Sequence, residues 1–61
     1  MIMEIKEGKK YHYDDEFKGE RLADTFIALE NSSRKSRKVL VYSPKLRANI
    51  LIYKSRLRKV I

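Results

Sequence analysis

Arg34, Lys35, Arg37 and Lys38, set among Ser32, Ser33 and Ser36, are the densest group of side chains here with a definite chemistry. Guanidinium and ammonium groups neutralise phosphates and release their counterions, and short hydroxyls with nearby backbone N–H groups donate to phosphate oxygens at little steric cost. A second cationic stretch, Lys54, Arg56, Arg58 and Lys59, follows, and Lys45 and Arg47 lie between the two. One basic loop alone reads equally well as a solvated loop kept polar against aggregation; two, with cations between them, point to a polyanionic partner. Tyrosines can stack on exposed bases, which makes Tyr11, Tyr13, Tyr42 and Tyr53 further candidates. For Tyr42 and Tyr53, each closing an apolar run, the plainer reading is a rim-of-core residue whose hydroxyl reaches water.

The charge is distributed unevenly. Residues 1–31 carry five Lys/Arg and all eight acids, whereas residues 32–61 carry ten Lys/Arg and none, for a net charge of +7. Even scattering would leave the second half free of acid only about 0.4% of the time, so the polarity needs a physical reason. Either a polyanion binds there, or acids and bases of the two halves meet in the fold and cancel. Fifteen bases cannot all be paired by eight acids.

Other chemistries fail on their own requirements. His12, Asp14, Asp15 and Glu16 are the only metal-ligand cluster, but a lone histidine with consecutive acids does not fix the three or four ligands that zinc takes. Ser32 three residues before Lys35 matches the nucleophile spacing of penicillin-recognising enzymes, without the other motifs that such a site needs. Asn31-Ser32-Ser33 fits a glycosylation acceptor, which matters only on secretion. Gly8 and Gly19 are too isolated for a phosphate-cradling loop. No enzyme, cofactor or metal is expected.

Sixty-one residues of 7.3 kDa, 43% of them hydrophobic, make one domain over 1–61 with a packed core. Size scaling allows about 60% of the surface to be buried, so stability is marginal and a large substrate cleft is not expected. The absence of cysteine removes the disulfide and thiolate supports of short secreted chains and favours a cytoplasmic location. A charge at Glu4 and a longest later apolar run of four residues, Ile50 to Tyr53, argue against a signal peptide and a membrane span.

The elements that must position the cations are short. Val39 to Tyr42 and Ile50 to Tyr53, β-branched and aromatic, read as a buried hairpin around Ser43 to Asn49, with Pro44 in the turn. Apolar residues on both faces of these strands imply that both sides are at least partly covered, as in a closed or wrapped sheet. Lys54 to Ile61 reads as a short turn and a final strand, with Leu57, Val60 and Ile61 plugging the core. Met1 to Ile5 and Lys9 to Tyr13, joined through Gly8, read as two strands or one broken one.

Residues 14–31 fit two patterns. As a helix they place Leu22, Phe26 and Leu29 on one stripe, with Asp14 or Asp15 as N-cap. Against it, Gly19 falls inside, Phe17 leaves the stripe and Thr25-Phe26-Ile27 prefers a strand. As a strand, Ala23 to Asn31 pairs with Arg37 to Ser43 across a long basic hairpin tip, Ser32 to Ser36.

In the strand reading, a bent strand, a hairpin and the ending Ile50-Leu51-Ile52-Tyr53-Lys54-Ser55-Arg56-Leu57-Arg58-Lys59-Val60-Ile61 resemble SH3-like small barrels of the Tudor and KOW kind. The resemblance implies a strand entering a tight 3₁₀ turn, a leucine dropped into the core and a short fifth strand. It does not extend to the aromatic cage of methyl-reading Tudor domains, since the chain has no Trp and no aromatics clustered in its loops.

The expected fold is therefore all-β, a small five-stranded SH3-like barrel, with the alternative an α+β fold carrying a helix near residues 15–30 on a small antiparallel sheet. The expected function is nucleic-acid binding, DNA or RNA, with little sequence readout. Arg34, Lys35, Arg37 and Lys38 sit at a hairpin tip beside Lys54, Arg56 and Arg58, supported by Lys45, Arg47, Tyr42 and Tyr53. Four to six phosphate contacts on a duplex give a slope of log affinity against log salt of about −3.6 to −5.4. The alternative is a protein-binding accessory module or inhibitor docking on an acidic partner surface through its strand edges. A membrane surface is disfavoured for want of an amphipathic helix.

Overall fold

The computed structural model describes residues 4–60, and every regular element among them except one 3₁₀ turn is a strand. Strands β1 (Lys10–Phe17), β2 (Glu20–Ala28), β3 (Lys38–Ser43) and β4 (Ala48–Tyr53) are followed by the 3₁₀ turn Lys54–Arg56 and β5 (Leu57–Lys59). They form one antiparallel sheet in the order β4-β3-β2-β1-β5.

Residues 14–31 hold the end of β1, a two-residue turn and the whole of β2 before the chain leaves the sheet after Ala28, and the helix alternative is set aside. The four-residue spacing of Leu22 and Phe26 puts them on one face in either period, so this pair does not discriminate between the two. The turn between β1 and β2 does. Phe17 pairs with Glu20 across Lys18 and Gly19, both with positive φ (52° and 85°), the left-handed pair of a two-residue hairpin loop whose twist suits the flanking strands. The glycine that weakened the helix reading is what closes this hairpin.

The long partner of β2 is thus β1, over eight residue pairs from Lys10↔Ile27 to Phe17↔Glu20. The expected pairing of Ala23 to Asn31 with Arg37 to Ser43 shrinks to Ile27↔Tyr42 and Ala28↔Val41, with one further bond from Leu29 N–H to the Leu40 carbonyl, 2.9 Å. Beyond it residues 29–37 leave the ladder. Ser32 N–H donates to the Ile5 carbonyl (2.8 Å), Ile5 N–H to Ser32 Oγ (2.9 Å) and Glu7 N–H to Asn31 Oδ1 (2.9 Å). These bonds hold the segment before Gly8 against the β2–β3 connection and bury Ile5; residues 4–9 form no strand, and Met1 to Met3 lie outside the described residues.

The hairpin of β3 and β4 stands as expected, from Lys38↔Tyr53 to Ser43↔Ala48. Its turn is anchored from β2: buried Ser43 donates to Asp24 Oδ2 (2.7 Å), Lys45 N–H donates to the same oxygen (3.1 Å), and Leu46 N–H donates to Ser43 Oγ (3.2 Å). One core joins Ile5, Tyr11, Tyr13, Phe26, Ala28, Val39, Val41, Ile52 and Leu57, with Phe17, Leu22 and Ile50 at its margin. Tyr13 and Phe26 stack at 5.1 Å, and the Tyr13 hydroxyl donates to the Glu16 carbonyl (2.7 Å) while Lys6 N–H donates to that of Tyr11 (3.0 Å). Both tyrosines are therefore core residues and not stacking candidates.

Two expectations about the sheet are corrected. It does not close into a barrel: among the described residues β4 pairs only with β3, and three-residue β5 only with Tyr11 to Tyr13 of β1. The outward face of the β3–β4 ribbon is covered only in part: Leu40 and Tyr42 are half-buried there, while Leu51 and Tyr53 point away from the core with 57% and 44% of their surface accessible. Leu57 enters the core at 2% exposure, whereas Val60 is 42% exposed and does not plug it; Ile61 lies outside the described residues.

Candidate nucleic-acid interface

The register of the β3–β4 hairpin builds the centre of the site. Lys38, first in β3, faces Tyr53, last in β4, and its Nζ lies 5.0 Å from the centroid of the Tyr53 ring. The 3₁₀ turn that follows brings the Arg56 guanidinium to 5.5 Å from the same centroid. Both distances are in the range in which the negative face of a ring attracts a cation. Lys54 N–H donates to the Arg37 carbonyl (2.9 Å), and Lys54 Nζ donates to the Ser33 carbonyl, tying the 3₁₀ turn to the start of β3 and to the preceding loop.

That loop carries Arg34 and Lys35, both exposed, on a turn closed by Ser36 N–H donating to the Ser33 carbonyl (3.2 Å). It is not the tip of a long hairpin, and its serines are largely committed within the protein. Ser36 Oγ donates to the Lys38 carbonyl (2.8 Å), Ser33 Oγ accepts from Lys35 N–H (3.2 Å), and Ser32 Oγ accepts from Ile5 N–H. The hydroxyls shape the loop that presents the cations.

Lys38 and Arg56 thus flank Tyr53 at one end of the sheet, with Arg37 and Lys54 joined there by a backbone bond and Arg34 and Lys35 on the loop that Lys54 holds. Arg58 is on β5, opposite His12 of β1, two residues past Arg56 and exposed. Lys45 and Arg47 lie at the other end of the β3–β4 hairpin, roughly 17 Å away at about 3.3 Å per residue. Tyr42 is half-buried on the outward face, between Asn49 of β4 and Ile27 of β2. The sequence-level cations therefore form one dense group and one distant pair.

The acids of the first half reach this group only at its margin. Among the described residues the ion pairs are Arg21 with Asp14 (3.0 Å) and Arg56 with Asp15 (3.7 Å), both exposed. Arg56 is held further into its charged form by the Tyr13 hydroxyl first and the Asp15 carboxylate second. Asp14 is pulled below the usual carboxylate range by its hydrogen bonds from Arg21 and by that residue's charge. At the turn end, burial pushes Asp24 up, but bonds from Ser43, Lys45 N–H and Thr25 N–H, with the charge of Lys45, outweigh it and leave the carboxyl below its ordinary value. Glu30 accepts from Leu40 N–H (2.9 Å). No acid among the described residues makes an ion pair with Arg34, Lys35, Arg37, Lys38, Lys45, Arg47, Lys54 or Arg58.

His12, Asp14 and Asp24 share an open depression with Ala23, Thr25, Tyr13 and Lys45, a grouping that sequence reasoning missed. Its polar groups are occupied: His12 Nδ1 lies 3.0 Å from Thr25 Oγ1, Asp14 holds Arg21, and Asp24 holds the turn. Among the described residues no three of His, Asp and Glu converge as metal ligands, and no helix is long and apolar enough to cross a membrane. Comparison of the chain with protein-family models, curated proteins and solved structures finds no match.

Proposed function

We propose that the protein binds nucleic acid through the phosphate backbone, using Arg34, Lys35, Arg37, Lys38, Lys54 and Arg56 around the exposed ring of Tyr53. The observation that supports this most is the pair of cations, Lys38 and Arg56, held at 5.0 and 5.5 Å from one accessible aromatic ring, with Asp15 the only acid in an ion pair with them among the described residues. Such a group offers a polyanion several charges at one place, and the ring a face for a base. The strand order, with a 3₁₀ turn before a short last strand and Leu57 turned inward, also resembles SH3-like small barrels of the Tudor and KOW kind. On this reading the role is binding and not catalysis, sequence readout is weak, and the site of action is cytoplasmic.

The outer edge of β4, unpaired among the described residues, with Leu51 exposed, favours a second reading, a module docking on an acidic protein surface. Salt titration separates the two. Four to six phosphate contacts give a log–log slope of about −3.6 to −5.4 on duplex and about −2.8 to −4.2 on single strands. A slope near zero, or no polynucleotide bound at low salt, would reject the phosphate reading.

A further inference from the structure

The outward face of the β3–β4 ribbon carries apolar side chains that remain open among the described residues. Leu40 faces Leu51, flanked along the ladder by Lys38↔Tyr53 on one side and Tyr42↔Asn49 on the other. Leu51 and Tyr53 are exposed, Leu40 and Tyr42 half-buried, and Ile27 continues the strip onto β2. Cations lie at both ends, Lys38 and Arg56 at one and Lys45 and Arg47 at the other. The acid contacting this strip among the described residues, Glu30, is bonded to the backbone of Leu40.

From this face we propose that the nucleic acid bound is single-stranded, laid along the ribbon with unpaired bases on Tyr53 and Tyr42; the inference rests on the phosphate reading above. A duplex presents phosphates outside and polar base edges in its grooves, which Leu40, Leu51 and Ile27 cannot hydrogen-bond. An unpaired base has an apolar π-face that any aromatic ring can accept without regard to sequence, while cations track the backbone. Four positions of β4 from Asn49, the partner of Tyr42, to Tyr53 span about 13 Å. That spacing leaves two separate stacking positions with the leucine pair between them. The charge favours a polyanion over a second copy of this +7 chain.

The test titrates the whole protein at low salt with a 20-nucleotide oligothymidine, with the duplex that it forms with oligoadenosine, and with polyglutamate. Because the chain has no Trp, tyrosine emission reports stacking directly. The single strand is expected to bind at least about 10-fold more tightly than the duplex and to quench that emission. Tyr53→Leu and Tyr42→Leu, which keep an apolar residue on the strand, are each expected to weaken it by about 5- to 150-fold, the range for one lost stacked base. Equal affinity for both forms with unchanged emission would overturn the single-strand inference while leaving the phosphate reading intact. Absence of binding to either would remove that reading as well. Polyglutamate bound as tightly as oligothymidine would overturn the inference and assign the face to an acidic protein.

Discussion

Replacing Lys38 and Arg56 together by glutamine removes two charges from the Tyr53 ring and leaves the buried cluster untouched. If each contacts one phosphate, the salt slope on a single strand falls by about 1.4, from about −2.8 to −4.2 in the parent to about −1.4 to −2.8 in the variant. Between 50 and 200 mM salt, a fourfold change, the parent then loses about 50- to 340-fold in affinity and the variant only about 7- to 50-fold. Fluorescence anisotropy of a labelled oligonucleotide at four or five salt concentrations reads both slopes, and a thermal melt confirms that the variant folds. Parallel lines for parent and variant would refute the reasoning, because they would mean that neither cation releases a counterion on binding.

Two predictions concern the scaffold that aims the site. Asp24→Asn swaps a carboxylate that accepts from Ser43, Lys45 and Thr25 for an amide that cannot satisfy all three, and is expected to cost about 1 kcal/mol, or roughly 4–8 °C in melting temperature. Since the folded state depresses the Asp24 pKa, its contribution is present above the unfolded value near 4 and is lost as pH falls below it. The melting temperatures of parent and variant should therefore converge on acidification, and a gap independent of pH would contradict the assignment. Leu57→Ala, at 2% exposure, is expected to cost about 2–5 kcal/mol out of a total of about 3–9 for a chain of this size, a large share of its stability. A urea midpoint unmoved by this change would remove Leu57 from the core.

The β3–β4 hairpin and the Leu57 strand were legible in the sequence because β-branched runs and a proline turn leave one reading for so short a segment. The β1–β2 hairpin was not. Its turn is Lys18-Gly19, where a lysine in left-handed backbone carries no strong sequence signal, and the acids before it read as a helix start. The open sheet was missed for a different reason: Leu51 and Tyr53 alternate with Ile50 and Ile52, and apolar residues on both faces look the same whether the outer face is buried by closure or left largely exposed. The sequence put Arg34 to Lys38 beside Lys54 and Arg56, but it counted Lys45 and Arg47 with them. Only the hairpin register, with Lys38 opposite Tyr53, separates the group around that ring from Lys45 and Arg47 at the far turn.

The cationic group beside Tyr53 is tested most directly by two-dimensional ¹⁵N–¹H NMR of the labelled protein during titration with an oligonucleotide. The amides of Arg34 to Lys38 and Tyr53 to Arg56 are expected to shift first and furthest, with those of the β1–β2 turn, Phe17 to Glu20, staying in place. Shifts centred on that turn, or a spectrum unchanged at saturating oligonucleotide, would contradict the account.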